Sequence, residues 1–231
     1  IQNTPVIFDK TRVSQRVGYV ISGKIQIKYK GAYLKQTINK TFTLEAGSSF
    51  LIPEGTESIL ENLDNNYSMI LLVKSPQDES IKLKEAKINN FSEDLLIVNK
   101  NDQKNLPAGE DRYFKLMIDP DVGSKYVTQF LGYIKKIKAP FHDHTYDEVI
   151  YILEGEGVVH HGNSQTKIKK GSSVYLPPGT IHRLENKNKN VAVAGSVSTF
   201  GSFYRLGLKA MIPGFKEQIK ILSEEGVDLI I

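Results

Sequence analysis

The chain has 231 residues, of which 40% are hydrophobic and 24% are charged, and it contains no cysteine. This composition is typical of a globular protein with one large β domain or two small ones. The lack of cysteine excludes disulfides, thiolate metal ligands and cysteine nucleophiles. The net charge of +4 comes from scattered lysines rather than a basic cluster, so we expect no nucleic-acid partner.

Apolar runs stay short of the roughly 20 residues that a membrane span requires, so we expect no membrane partner. The chain opens at Ile1 with no signal-like segment, and we take the cytoplasm as its default location.

Short β-branched and aromatic runs, each ended by Gly, Pro, Asn or a charged residue, recur along the chain. They are VGYVISG, KIQIKYKG, KTFTLEAG, SSFLIPEG, YSMILLVKS, TQFLGYIKK, DEVIYILEG, GVVHHG, SSVYLPPG and VAVAGSVS. Many short strands separated by turn residues predict an all-β sandwich or barrel. The pattern favours one short C-terminal helix, over residues 213–225, in which Phe215, Ile219 and Leu222 share a face.

Two parts of the sequence repeat each other. YVISG at 19–23 matches YILEG at 151–155, and GSSFLIPEGTESILEN at 47–62 matches GSSVYLPPGTIHRLEN at 171–186 without a gap. Between the matched elements the first copy is eight residues longer, which predicts a longer hairpin there. We therefore predict an N-terminal β domain over 1–76, a connector over 77–107 with one short strand at DLLIV, and a second β domain over 108–231.

A candidate metal site stands out in the second copy. His142, His144 and Glu148 lie within FHDHTYDEVIYILEG, and His182 follows LPPGTIH. On a strand the first three positions are separated by even steps and project from one side, whereas a helix would set the two histidines about 200° apart. Three imidazoles and a carboxylate suit one divalent transition metal, namely Fe, Mn, Ni, Zn, Cu or Co.

These residues resemble the two motifs of the cupin superfamily. The first motif, H-x-H-x3-E-x6-G, covers His142, His144, Glu148 and Gly155, and the second, G-x5-P-x-G-x2-H-x3-N, covers Gly171, Pro177, Gly179, His182 and Asn186. One departure is Lys136, which stands where the first motif usually opens with Gly. With the repeat, the resemblance implies a bicupin: two tandem cupin jelly-roll β-barrels, with the metal in the C-terminal one.

The first copy is expected to lack a metal. Alignment through Gly23 and Gly47 places Lys10, Arg12, Arg16 and Ser58 at the positions of the four ligands, and cationic side chains do not coordinate a metal. Inward-facing guanidiniums would instead hold an anion. The alternative, which we favour, is that these cations lie on the surface or in salt bridges.

Three further residues are candidates for the pocket. Tyr146 is an even step from His144 and is a candidate proton donor or a partner of the metal ligands. Tyr133 and Gln129, on the strand TQFLGYI, are candidate substrate-pocket residues, and a barrel-wall tyrosine is the alternative for Tyr133. The adjacent His160 and His161 are interpreted as polar hairpin residues.

The resemblance implies several activities. We predict a metal-dependent, dioxygenase-like enzyme that acts on a small oxygen-rich substrate in the C-terminal barrel. A metal-dependent isomerase or hydrolase is the alternative, with a sugar acid or a ureidoglycine-type substrate; the fragment YVISGKIQ resembles ureidoglycine aminohydrolases, although their ligand pattern differs. A second alternative is a non-catalytic ligand-binding or storage cupin. The expected partner is a small molecule, and the chain is expected to be a monomer or homodimer.

Overall fold

The computed structural model describes residues 4–76, 80, 85–109, 112–134, 139–186, 191–198 and 229–230. In these residues the regular structure is almost entirely β-strand, with two short 3-10 helices, so the predicted all-β class is confirmed. The predicted C-terminal helix over 213–225 lies outside the described residues. No helix in the described part of the chain has the length and apolarity to cross a membrane.

The chain divides into two compact units. The first unit comprises Ile1–Gln103 with Met117–Val127, and the second comprises Lys104–Leu116 with Thr128–Ile231. Each unit is built from two sheets.

The strands of the first unit form two four-stranded antiparallel sheets. They are β1 (Val6–Phe8), β2 (Gln15–Ser22), β3 (Lys24–Tyr33), β4 (Gln36–Glu45), β5 (Ser48–Ile52), β6 (Thr56–Asn62), β7 (Met69–Ser75) and β8 (Ile97–Asn99). One sheet has the order β1-β6-β3-β4 and the other has the order β7-β2-β5-β8.

The predicted strand at DLLIV is only partly correct. A 3-10 helix covers Glu93–Leu96, and β8 begins at Ile97. Ser92 caps this helix, because its side chain accepts a hydrogen bond from the backbone N–H of Asp94. The cap explains why the first half of the run is helical.

The strands of the second unit form a seven-stranded and a three-stranded sheet. They are β9 (Leu106–Pro107), β10 (Arg112–Ile118), β11 (Val127–Ile134), β12 (Glu148–Glu154), β13 (Glu156–His161), β14 (Ser164–Lys169), β15 (Ser173–Leu176), β16 (His182–Asn186), β17 (Val191–Ser198) and β18 (Leu229–Ile230). The sheet orders are β18-β15-β12-β17-β11-β10-β9 and β14-β13-β16. A 3-10 helix, Pro120–Val122, lies between β10 and β11.

The sequence repeat is also a repeat of strand pairing. In each unit, residues at equivalent positions face each other across the ladder. The equivalent pairs are Arg16–Ile52 with Glu148–Leu176, and Tyr29–Ser58 with His161–His182. Both units also carry a register shift at the same place, between Val20 and Ser22 in β2 and between Ile152 and Glu154 in β12. The same backbone pattern therefore occurs twice.

The longer hairpin predicted for the first copy is confirmed. Strands β3 and β4 have ten residues each, whereas β13 and β14 have six each. The longer hairpin turns at Leu34 and Lys35, whose φ angles of 48° and 64° are left-handed. Two consecutive residues with positive φ are typical of the tight turn that matches the twist of a hairpin.

The core of the second unit joins its two sheets. Its buried cluster is drawn from β12, β13, β14 and β15 and consists of Ile150, Ile152, Val159, Ile168, Val174 and Leu176, with the partly buried Leu184 packed against it. Full burial of one such side chain contributes about 1.5–3 kcal/mol. The sheets are therefore held together by apolar contacts close to the strands that carry Glu148 and His182.

The segment Met117–Val127 groups with the first unit through buried hydrogen bonds. The Gln15 side chain accepts from the Lys125 backbone N–H at 2.8 Å, and the Tyr33 hydroxyl donates to the Gly123 carbonyl at 2.7 Å. Lys125 also forms an ion pair with Glu54, with the Nζ and Oε1 atoms 2.7 Å apart. These bonds attach a segment that follows β10 in the chain to the body of the first unit.

Candidate metal centre

Backbone hydrogen bonds bring the two histidine-bearing segments side by side. The N–H of His142 donates to the His182 carbonyl at 3.0 Å, and the N–H of His182 donates to the His142 carbonyl at 2.8 Å. The His144 carbonyl accepts from the N–H of Gly179 at 2.7 Å. Two residues that are 40 positions apart in sequence therefore become a directly opposed pair.

A tight turn sets the direction from which His182 enters β16. Gly179 has a φ of 76°, which a residue with a side chain rarely adopts, and the N–H of Thr180 donates to the Pro177 carbonyl at 3.1 Å. The chain reverses here, and β16 begins two residues later at His182. Glycine at this position has a clear backbone role in building the site.

The expectation that residues 142–148 form one strand is wrong in its detail. His142 makes an isolated bridge to His182, Thr145 and Tyr146 lie in a bend, and β12 begins only at Glu148. The even spacing of the three residues therefore does not by itself explain their convergence. The bend at Thr145 and Tyr146 lies between His144 and Glu148, whose side chains are close together.

The four predicted ligand residues converge. The side-chain nitrogens of His142, His144 and His182 lie within 4.8 Å of one another. Oε2 of Glu148 lies 3.3 Å from Nε2 of His144 and 3.2 Å from Nε2 of His182. Two atoms that are each about 2.1 Å from a shared metal lie about 3.0–3.4 Å apart. The histidine triad can therefore hold a metal ion, and the Glu148 carboxylate lies beside two of its three imidazoles.

Two of the imidazoles are oriented by backbone carbonyls. Nδ1 of His142 lies 2.9 Å from the Pro140 carbonyl oxygen, and Nδ1 of His182 lies 2.8 Å from the Thr180 carbonyl oxygen. A carbonyl only accepts, so each Nδ1 carries the proton and donates it. This leaves the Nε2 lone pair of both rings free for a metal, which is the usual arrangement of metal-binding histidines.

The electrostatics of the four groups favour a cation. Oε2 of Glu148 is buried and makes no aligned hydrogen bond to a described residue, although two Nε2 atoms are close to it. Burial alone would raise the pKa of Glu148, but the imidazoles of His144 and His182 outweigh this effect and lower its pKa. The carboxylate is therefore ionised, and a buried ionised carboxylate requires a positive partner.

The histidine pKa values differ within the site. Burial lowers the pKa of His142, which keeps its ring neutral and suited to coordination. Burial also acts to lower the pKa of His182, but its contact with Glu148 dominates and raises it. A proton thus stabilises the pair of His182 and Glu148 where a metal ion would otherwise do so.

These residues line a cavity of about 420 Å³. Most of the rest of its wall is aromatic or aliphatic, including Tyr113, Phe114, Phe130, Ile134, Ile150 and Leu184. Among the described residues that line it, Arg112 carries the one permanent positive charge. The centre therefore faces a mostly apolar space.

Tyr146 lies where sequence reasoning expected it. Its ring stacks on that of His144, with centroids 4.6 Å apart and planes 10° apart, and it lines the cavity. Its hydroxyl is buried and has no hydrogen-bond partner among the described residues. A buried hydroxyl without a partner next to a candidate metal ligand is available to a bound molecule.

Of the two candidate pocket residues on β11, one lines the cavity and the other does not. Tyr133 lines the cavity and stacks on Tyr113, with centroids 4.5 Å apart. Gln129 is only 1% exposed and does not line the cavity. On the same strand Phe130, Gly132 and Ile134 also line the cavity.

The first-unit residues aligned with the four candidate ligands differ from them in chemistry, and two of them are exposed. Lys10 and Arg12 are exposed, and Arg16 is half-buried with its Nη1 donating to the Asp9 carbonyl at 3.2 Å. Ser58 is fully buried. These positions agree with the surface interpretation of the cations rather than with an inward anion site.

Of the adjacent histidines, His160 pairs with an acidic residue. Its Nε2 lies 2.8 Å from Oε2 of Glu185. His161 is the ladder partner of His182 at the end of β13. Neither belongs to the cluster of three histidines.

Sequence reasoning missed the contribution of β10 to the cavity. Arg112, Tyr113 and Phe114 all line it. The signal was present as RYFKLMI, an aromatic and aliphatic run after the polar connector. Without the pairing of β10 with β9, its orientation could not be assigned.

Comparison with known proteins supports the fold. Residues 134–198 match the family model for the cupin domain. An uncharacterized protein of Methanocaldococcus jannaschii is 44% identical over 50 residues, which is 21% of this chain and 40% of that protein. The chain thus spans less than half of the length of this curated relative.

Two solved structures extend the comparison to most of the chain. A cupin 2 conserved barrel domain protein from Leptotrichia buccalis has a TM-score of 0.56 at 15% identity, over 86% of this chain and 79% of that one. An oxalate decarboxylase mutant from Bacillus subtilis has a TM-score of 0.64 at 11% identity, over 85% of this chain and 66% of that one. Such identities carry information on the fold alone. The chain therefore contains a cupin domain, matched over residues 134–198, and its structural neighbours have the cupin fold.

Proposed function

We propose that the protein is a metal-dependent enzyme whose single centre is formed by His142, His144, Glu148 and His182 in the second unit. The observation that carries this proposal is the approach of Glu148 Oε2 to within 3.3 Å of two imidazole Nε2 atoms at the wall of a cavity. Four protein ligands leave coordination positions for a substrate or water. When bound, a divalent transition metal there supplies Lewis acidity, or dioxygen activation if it is redox-active.

A dioxygenase-like reaction is the activity that the cavity supports best. Sugar acids carry a hydroxyl on nearly every carbon, and their binding requires a matching number of polar partners. The described wall offers few such partners outside the four ligand residues, Tyr146 and Arg112. The lining thus favours a substrate with fewer oxygen atoms than the sequence led us to expect.

Tyr146 is the residue for which we propose a direct role with the substrate. The residue lines the cavity, and its hydroxyl is buried and lacks a partner among the described residues. It would donate a hydrogen bond to a substrate oxygen beside the metal ligands. Stacking on His144 fixes the direction of this donor, so little entropy is lost when the substrate binds.

We also propose that the two units are a duplicated pair of barrels, a bicupin, of which the second retains the metal. The equivalent ladder pairs and register shifts in the two units support the duplication. Arg16 and Ser58 at two of the ligand positions support the loss of metal binding in the first. The first barrel then has a structural role, and the partner of the second is a small molecule. A monomer or homodimer would be sufficient for this function.

The test begins with metal content. The purified chain is loaded separately with Fe(II), Mn(II), Ni(II) and Zn(II), desalted, and analysed for bound metal. Oxygen uptake by the Fe(II), Mn(II) and Ni(II) forms is then measured with diketones, catechols and flavonols. Retention of one metal and oxygen uptake with at least one substrate class are expected. Failure to retain any metal would contradict the metal-enzyme proposal, whereas metal retention without oxygen uptake would contradict the dioxygenase assignment.

Tyr146→Phe isolates the proposed hydroxyl. We expect normal metal retention and a loss of turnover of about tenfold or more, the lower range for one positioned proton-transfer or hydrogen-bonding group. Tyr126→Phe, in the first unit, is the matched control and is expected to turn over at the wild-type rate. Wild-type turnover in Tyr146→Phe would contradict the proposed role.

A further inference from the structure

We infer that the cavity of the second unit accepts a flat, mostly apolar molecule with one anionic group, such as an aromatic carboxylate, and that Arg112 binds the anionic group. This inference rests on the proposal that the cavity beside the candidate metal ligands is the substrate site. It differs from that proposal because it names the chemistry of the occupant, which can be measured without turnover.

The size of the cavity indicates how large its occupant is. Its volume of about 420 Å³ lies in the range of pockets that hold ligands with one or two rings. A two-carbon dicarboxylate such as oxalate would leave most of this space unfilled. Size alone therefore favours a larger occupant.

The wall of the cavity contains two pairs of packed aromatic rings. Tyr113 and Tyr133 stack with planes 10° apart, and the Phe114 and Phe130 rings meet edge to face at 6.0 Å. All four residues line the cavity. Aromatic walls bind another ring through stacked or edge-on contacts, which add to the effect of the area buried. A flat occupant uses these contacts, and a polyhydroxylated one would leave its hydroxyls unpaired.

Arg112 supplies a positive charge to the lining of the cavity. It lines the cavity at the start of β10, and its backbone N–H donates to the Gly109 carbonyl at 3.2 Å. Its Nη2 lies 2.6 Å from the point where a Cβ on Gly109 would be, so the guanidinium lies close against the turn. None of the ion pairs among the described residues involves Arg112. A guanidinium in an apolar enclosure is suited to a carboxylate, which it binds through two parallel hydrogen bonds.

The charges also limit the occupant to one anionic group away from the metal ligands. Glu148 lines the same space, and Arg112 is the described lining residue with a permanent positive charge. A second carboxylate on the occupant would meet apolar wall, where an unpaired charge is costly. The combination fits a molecule whose ring fills the apolar space and whose single anionic group reaches Arg112.

The probes for the test are 2-naphthoate, 2-naphthamide and oxalate, since the first two differ chiefly in charge. Dissociation constants are measured by calorimetry on the whole chain, both metal-free and loaded with redox-inert Zn(II). In both forms we expect 2-naphthoate to bind at least about tenfold more tightly than 2-naphthamide, because one charge-assisted contact supplies about 1.5 kcal/mol or more. In the metal-free form we expect oxalate to bind more weakly than 2-naphthoate. Equal binding of the acid and the amide, or tighter binding of oxalate to the metal-free chain, would overturn the inference.

A matched pair of variants locates the charge. Arg112→Gln is expected to reduce 2-naphthoate affinity about tenfold while 2-naphthamide affinity stays the same, so the preference for the acid disappears. Arg12→Gln makes the same chemical change at an exposed position of the first unit and is expected to keep the preference. If Arg112→Gln retains it, the assignment of Arg112 is wrong. Metal content is measured on the same samples, so failure to retain Zn(II) contradicts the metal centre, whereas the metal-free titration still decides the occupant.

Discussion

The two units share a backbone pattern, but in the described part of the chain the three histidines that could hold a metal ion lie in the second unit. Arg16 and Glu148 occupy the same ladder position relative to the neighbouring strand, as do Ser58 and His182. The turn glycines that precede the last two also adopt nearly the same φ, 79° at Gly55 and 76° at Gly179. The ladder and the turn therefore do not depend on the ligands.

This difference distinguishes the residues that specify the fold from those that specify the chemistry. Both units retain the positive-φ turn and the apolar alternation that fill a two-sheet core. Replacement of the ligand side chains in one unit has left that framework in place. The polar residues of the second centre are thus free to serve function, and their removal is expected to affect metal binding more than folding.

We expect the largest loss of metal affinity when His182 of the second unit is replaced by the serine of the first. His182→Ser places at the centre the residue found at the equivalent position 58. Because it removes a direct ligand, we expect metal affinity to fall by at least about 100-fold, the upper end of what loss of an outer partner costs. The measurement is competition titration with a chromophoric chelator. Ser58→Ala is the control and is expected to bind metal like wild type; equal affinity of His182→Ser and wild type would refute the ligand assignment.

The next effect is local stabilisation by metal. At a free metal concentration 100 times the dissociation constant, binding contributes about 2.7 kcal/mol to the state that binds it. Hydrogen exchange of the chain with and without Zn(II) is expected to slow over residues 139–149 and 177–186. The equivalent segments of the first unit, residues 7–17 and 53–62, are expected to exchange at an unchanged rate. Comparable slowing in both units would indicate that the first unit also binds metal.

A smaller effect separates the two equivalent turn glycines. A Cβ on Gly55 would lie 2.5 Å from the Ala32 carbonyl oxygen, whereas a Cβ on Gly179 would meet no atom within 4 Å. Both substitutions to alanine impose a left-handed residue at a cost of about 1 kcal/mol. The additional clash should bring Gly55→Ala to about 3 kcal/mol. Urea denaturation followed by tyrosine fluorescence measures both; a larger loss for Gly179→Ala would contradict the comparison.

The smallest effect concerns the buried serine that replaces the histidine. Ser58 is fully buried, and its hydroxyl has no partner among the described residues. Ser58→Ala removes an unsatisfied polar group, so we expect a gain in stability of up to about 1 kcal/mol. Ser14 is also fully buried but donates to the Pro76 carbonyl at 2.6 Å, so Ser14→Ala should lose about 1 kcal/mol. Thermal unfolding compares the two variants, and destabilisation by both would indicate that Ser58 has a polar partner.

Much of the fold could be predicted because its signals are local, and the two motifs together predicted the grouping of His142, His144 and His182. Turn glycines such as Gly179 and alternating apolar residues mark the strands, and the histidine spacing is short in sequence. The bend at Thr145 and Tyr146 could not be predicted, because it depends on where pairing with His182 stops.

The cavity wall was harder to predict than the ligands. Gln129 and Phe130 are neighbours on one strand, and only the three-dimensional arrangement shows which of them faces inward. Arg112 lies just beyond the polar connector, where nothing in the sequence indicates its proximity to His142. Orientation within a barrel is set by long-range pairing, which a single sequence does not record.

The number of zinc ions bound per chain tests directly whether the protein has a single metal centre. The wild-type chain is equilibrated with excess Zn(II), desalted and analysed for zinc per chain, beside His182→Ser and Ser58→Ala. The account predicts one zinc per chain for wild type and Ser58→Ala, and none retained by His182→Ser. Two zinc ions per chain in wild type, or one zinc retained by His182→Ser, would contradict a single centre built by His142, His144, Glu148 and His182.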